Sequence, residues 1–128
     1  MDQPVAGQQT PRILLVEDDS ALRGALAFAL GTEGFTVETF ACAEDLLASP
    51  VAGDCMVVDL KMPGLDGLAL IGELRLRGNL TPAILITTNP DARSRRAARA
   101  AAVEIVEKPL LTGELRRRID ELVAGDRA

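Results

Sequence analysis

The sequence predicts a doubly wound α/β fold: a five-stranded parallel sheet, strand order 2-1-3-4-5, with five helices on both faces. From Arg12 onward, short apolar runs alternate strictly with helical patterns, and each parallel strand connection needs such a crossover. The first, third and fourth runs (Ile13 to Val16, Cys55 to Val58, Ala83 to Ile86) are unbroken apolar, as strands covered on both faces require. The second and fifth are interrupted by Glu38 and Glu104, which marks them as edges.

Arg12 to Val16 reads as the first strand. Ser20 to Glu33 follows as a helix, because Leu22, Ala25, Leu26, Ala29 and Leu30 recur on one face at helical period and Gly34 stands ready to stop it. Phe35 to Thr39 is the second strand and Glu44 to Ser49 a short helix. Cys55 to Val58 is the third strand; after a Pro-Gly loop, Leu68 to Arg77 forms the third helix, ended by Gly78. Ala83 to Thr87 is the fourth strand, and Asn89 is placed to cap a helix with Pro90 at its first position, running to about Ala102. Val103 to Val106 is the fifth strand, and Thr112 opens a last helix with Leu115, Ile119, Leu122 and Val123 on one face.

A chain of 128 residues, 48% hydrophobic, builds one ordinary core. The domain is expected over residues 11–124, with residues 1–10 a disordered tail and residues 125–128 a C-terminal tail. A net charge of −5 argues against a broad surface for nucleic-acid phosphates or anionic membranes. No apolar stretch approaches the roughly 20 residues of a membrane span and no signal peptide is evident, so a cytoplasmic protein is expected. Cys42 and Cys55 are too few and too dispersed for a disulfide framework or a zinc site, and Cys55 reads as a buried thiol. The absence of histidine excludes His-based triads and phosphohistidine intermediates on this chain.

The chemistry-bearing residues stand where strands run out: Glu17 and Asp18 after the first, Asp59 after the third, Thr87 at the end of the fourth, Lys108 after the fifth. In flavodoxin-like folds, which share the 2-1-3-4-5 order, ligands bind beyond the carboxyl ends of the strands where the winding reverses, between strands one and three. Three carboxylates there are tolerable with a divalent cation or with protons. Hard oxygen ligands in this number suit Mg²⁺, which keeps waters and a place for phosphate oxygens.

These residues resemble the receiver (CheY-like) domains of bacterial two-component response regulators. The matching stretches run from Ile13 to Asp19, from Val57 to Gly67, from Ile84 to Thr88 and from Glu107 to Pro109. The resemblance implies that Asp59 accepts a phosphoryl group from the phosphohistidine of a sensor kinase or phosphotransfer protein. It further implies Mg²⁺ held by Asp18 and Asp59 directly, by Glu17 through water and by the backbone carbonyl of Lys61. Thr87 would donate its hydroxyl to the attached phosphoryl group and Lys108 would pair with it; a cis Lys108-Pro109 bond would aim the ammonium inward. Phosphorylation would take the cluster from roughly −3 to −4, and Mg²⁺ with Lys108 back to about −1. An unknown downstream effector protein would read the result. Asp19 and Ser20 are equally suited to capping the first helix alone.

Two departures from the family pattern bear on signalling. An aromatic residue is common three positions before the lysine, and Ile105 stands there instead. The fourth helix offers Ala97, Ala98, Ala101 and Ala102 to the core while Arg93, Arg95, Arg96 and Arg99 load the rest. Small buried area and like-charge repulsion make it the expected mobile element. Its arginines could also face Glu114, Asp120 and Glu121 of a second copy, a homodimer across helix four, strand five and helix five. Lys61, Thr88 and Asn89 flank the site and bear on phosphoryl lifetime.

A Mg²⁺-dependent phosphohydrolase is the rival reading, since such enzymes also form an aspartyl phosphate. It would want a second carboxylate two residues after Asp59, where Lys61 stands. The expectation is therefore a switch, not an enzyme, catalysing only its own aspartyl phosphorylation and dephosphorylation. A single-domain regulator and an excised receiver half both fit the length.

Overall fold

In the computed structural model of the chain, residues 10–108, 110 and 113–127 are described, apart from the side chains of residues 126 and 127. The elements alternate as β1 (Arg12–Val16), α1 (Ser20–Thr32), β2 (Thr36–Phe40), α2 (Ala43–Leu47), β3 (Cys55–Asp59), α3 (Gly67–Leu76), β4 (Ala83–Thr87), α4 (Ala92–Ala100), β5 (Glu104–Glu107) and α5 (Glu114–Arg127). The sheet is parallel in the order β2-β1-β3-β4-β5, the doubly wound arrangement that the apolar runs predict. β3 and β4 are buried along their whole length and β1 from Ile13 on, whereas β2 is half-exposed throughout. Arg12 and Glu38 pair across the β2 edge at 3.0 Å.

Strand pleating divides the core into two layers. Ile13, Leu15, Cys55, Val57, Ile84 and Ile86 pack against Leu26 and Leu30 of α1 and Leu115, Ile119 and Val123 of α5. The alternate residues Leu14, Val16, Met56, Val58 and Leu85 pack against Leu46 of α2, Leu70, Ile71 and Leu74 of α3, and Ala98 of α4. Among the described residues no helix is long and apolar enough to cross a membrane.

Three sequence expectations are corrected. The cap of α4 is Asp91, not Asn89: its side chain accepts the Ser94 N–H at 2.7 Å, and Pro90 lies buried ahead of the helix. An aspartate two residues on is as good a cap, and it wins because the helix starts there. Of the alanines expected to face the core, only Ala98 is buried; Ala101 is the C-cap and Ala102 lies past it, so both have left the helical face, and Ala97 is exposed. At the C-terminus α5 continues to Arg127, through positions expected to be tail. The tail expected over residues 1–10 lies outside the described residues except for Thr10, as do Pro109 with its expected cis bond, Thr112 as the opening of α5, and residue 128.

Candidate functional site

Parallel register brings the strand ends to one rim: Val16 pairs with Val58, Asp59 with Ile86, and Thr87 with Glu107. Glu17, Asp59 and Thr87 are buried there, Glu17 completely. One carboxylate oxygen from each of Glu17, Asp18 and Asp59 lies within 4.8 Å of the others, with Asp18 on the solvent side. The Lys108 ammonium bridges the two buried acids, 3.2 Å from Glu17 Oε1 and 3.5 Å from Asp59 Oδ2.

This crowding shows in the acidity of Glu17, whose pKa rises from 4.5 to about 7. Burial is the leading cause, followed by the adjoining Asp59 carboxyl; the Asp19 N–H, at 3.2 Å, and Lys108 act against it. Near neutral pH a proton thus does part of what a cation would do. Two buried carboxylates, a third at the surface and hard oxygen donors throughout fit a Mg²⁺ ion, with room left for water or phosphate oxygens.

The loops that carry the acids are tied down individually. Asp19 caps α1, accepting the Leu22 N–H at 3.0 Å. Arg23, one turn into the helix, donates from Nη1 to the Glu17 carbonyl at 2.8 Å. In the loop after β3, the Lys61 N–H donates to Asp59 Oδ1 at 3.2 Å, and the Leu65 N–H donates to Glu44 Oε2, also at 3.2 Å. Gly67 begins α3 so close to β3 that a Cβ there would stand 2.6 Å from the Asp59 carbonyl oxygen and 2.8 Å from Leu85 Cδ2.

The structure therefore gathers Glu17, Asp18, Asp59 and Lys108, and sets Thr87 at the adjoining strand end. The Lys61 side chain and Thr88 are exposed at the rim, and Ile105 is half-buried against the layer that α4 covers. Arg93, Arg96 and Arg99 lie exposed on α4. Arg23 and Glu44 were not anticipated. Arg23 could have been suspected from its place one turn into a helix that begins at the site, whereas nothing local ties Glu44 to a loop 21 residues on.

The family model of the response regulator receiver domain matches residues 13–120. The two-component response regulator PhoP of Pseudomonas aeruginosa is 36% identical over 115 residues, covering 88% of this chain and 51% of PhoP. The transcriptional regulatory protein FixJ of Bradyrhizobium diazoefficiens is 32% identical over 114 residues, covering 87% of this chain and 56% of FixJ. The chain thus spans about half the length of these curated relatives. Among solved structures, the response regulator TrrA of Thermotoga maritima in complex with Mg²⁺ and BeF is 30% identical with a TM-score of 0.79, covering 88% of this chain and 99% of that one. With a family match over most of its length and an acidic cluster at the carboxyl rim of its sheet, the chain belongs to the response regulator receiver domains, the signalling modules of two-component systems.

Proposed function

We propose that Asp59 accepts a phosphoryl group from the phosphohistidine of a sensor kinase or phosphotransfer protein, in a Mg²⁺-dependent reaction. The phosphorylated domain then alters its protein contacts through α4, β5 and α5. The carrying observation is the meeting of Glu17, Asp18 and Asp59 under a lysine ammonium that neutralises only part of their charge. In the transfer an Asp59 oxygen forms a P–O bond as the donor's P–N bond breaks, and the electron pair leaves with the imidazole, which takes up a proton.

Asp18 and Asp59 would hold Mg²⁺ directly, Glu17 through water, with the Lys61 backbone carbonyl as a further ligand. The ion, when bound, offsets the combined charge of carboxylates and phosphoryl oxygens. Lys108 shifts from its carboxylate partners to the phosphoryl group, and the Thr87 hydroxyl donates a hydrogen bond to it. Ile105 has no phenol to turn outward, so the signal passes by repacking of β5 against α4. Thr88 and Asn89 set how easily water reaches the acyl phosphate. The reading places the domain in the cytoplasm, with a kinase upstream and an effector protein downstream.

A homodimer across α4, β5 and α5 would find fewer free acids than the sequence offers. Within α5, Glu114 pairs with Arg118 at 3.8 Å and Asp120 with Arg116 at 3.6 Å, while Arg118 also pairs with Glu104. That leaves Glu121 as the one of the three acids without an ion pair among the described residues.

The test is intact mass after incubation with acetyl phosphate and Mg²⁺, for wild type and Asp59→Asn. A phosphoryl mass gain in the wild type alone is expected. A gain that persists in the variant would move the acceptor elsewhere, and no gain in either would leave a protein-binding module without phosphoryl chemistry.

A further inference from the structure

Beside the acidic rim, between α4 and the loop that joins β3 to α3, lies an open groove of about 620 Å³. Met62, Pro63, Leu68 and Ala97 give it an apolar wall, and Lys61 and Arg93 stand at its edge. Outside it the cationic line continues along α4: Arg93, Arg96 and Arg99 recur three residues apart, all exposed and none in an ion pair among the described residues. Arg95, on the β5 side, is taken by Glu107 at 3.7 Å.

Two acids that flank the groove are occupied with backbone. Asp66 caps α3, accepting the Ala69 N–H at 2.8 Å, and Asp91 caps α4. Asp91 also feels Lys61 and Arg93, which, after its bonds to Ser94, help keep its carboxyl below the ordinary range. On a chain of net charge −5, this is a segregated basic strip along an apolar slot.

We propose that this groove docks an acidic segment of a partner protein, its carboxylates on Lys61 and the α4 arginines and an apolar side chain against Met62, Leu68 and Ala97. Charge complementarity selects such an occupant: rim charges steer the encounter and the apolar wall supplies contact area. A second copy fits worse, because Glu114 and Asp120 are held within α5. Nucleic acid fits worse as well, since a phosphate chain longer than one helix face meets the acidic remainder of the surface.

Both walls are placed to respond to the site. One is the loop whose Lys61 N–H is bonded to Asp59 Oδ1, and the other is a helix seated on one buried alanine. The docking rests on the phosphoacceptor reading only for this coupling.

The test uses fluorescence anisotropy with a short synthetic peptide of alternating glutamate and leucine, and its glutamine and leucine counterpart. The full chain is compared with Arg93→Ala and with Arg117→Ala, which removes another exposed arginine, on α5, without an ion pair among the described residues. Binding of the glutamate peptide is expected, weakened roughly tenfold by Arg93→Ala and less than about twofold by Arg117→Ala, with the glutamine peptide at least about tenfold weaker. Equal losses in the two variants, no binding, tighter binding of a single-stranded oligonucleotide, or dimerisation abolished by Arg93→Ala would each overturn the proposal. Mass gain with acetyl phosphate separates the two readings. Phosphorylation without peptide binding removes the groove alone, and peptide binding without phosphorylation removes Asp59 as acceptor and leaves the groove.

Discussion

α1 and α4 both start beside the acidic rim, on opposite faces of the sheet, and they are held very differently. α1 seats Leu26 and Leu30 in the core, whereas α4 seats Ala98. At about 0.8 kcal/mol per buried CH₂, two leucines contribute several kcal/mol and one alanine methyl about 1 kcal/mol. Their ends sharpen the contrast. Both close with the same bond across the last turn, Phe35 N–H to the Leu30 carbonyl at 3.1 Å and Val103 N–H to the Ala98 carbonyl at 2.9 Å. The left-handed residue is Gly34 in the first, at φ 102°, and Ala102 in the second, at φ 57°. An alanine there costs about 1 kcal/mol that glycine avoids. Were Asp59 to gain a phosphoryl group as proposed, the face expected to yield is the one covered by α4.

Thiol labelling probes this asymmetry with the largest effect. Cys55 lies in the layer under α1 and α5, and burial pushes its thiol from 9.0 up to about 12. Cys42, half-exposed, should label readily at pH 8 while Cys55 lags by more than about 10³-fold. Loosening α4 with Ala98→Gly should leave that protection intact, and labelling of Cys55 that speeds up in the variant would break the comparison. The sign with pH follows from the raised value: stability from keeping Cys55 as the thiol is complete below pH 9 and is lost as pH rises toward 12.

Hydrogen exchange should show the next largest difference. Amides of α4 are expected to exchange about 100-fold faster than those around Leu26 and Leu30, with a change on adding beryllofluoride and Mg²⁺ confined to α4 and its neighbours. Equal protection in the two helices, with and without the analogue, would remove α4 as the yielding element. The smallest effect is Ala102→Gly, expected to raise stability to chemical denaturation by about 0.5–1 kcal/mol through relief of the backbone. A loss would mean that the end of α4 carries no strain.

Much of this was legible in the sequence because apolar runs and strand-end acids are local signals. Glu38 and Glu104 gave away the edges, which agree with the 2-1-3-4-5 order of flavodoxin-like folds that the sheet adopts. Glu17, Asp18, Asp59 and Lys108 could be placed together because parallel strands end on one side. What sequence could not reveal depends on competition or distance. Asn89-Pro90 and Asp91 both look like helix starts, and only the path of the chain decides between them. Glu44 reaches Leu65 across the fold, and Arg118 links α5 to Glu104 on β5.

At Gly67 the consequence is one of tolerance. The main chain of Asp59 is located by a missing methyl group: α3 can abut it only while that volume stays empty, for a side chain there would meet a leucine methyl and, behind any room that methyl gives, a peptide oxygen that cannot step aside. The main chain that carries Asp59 is thus fixed by absence as firmly as the charges around it are fixed by attraction.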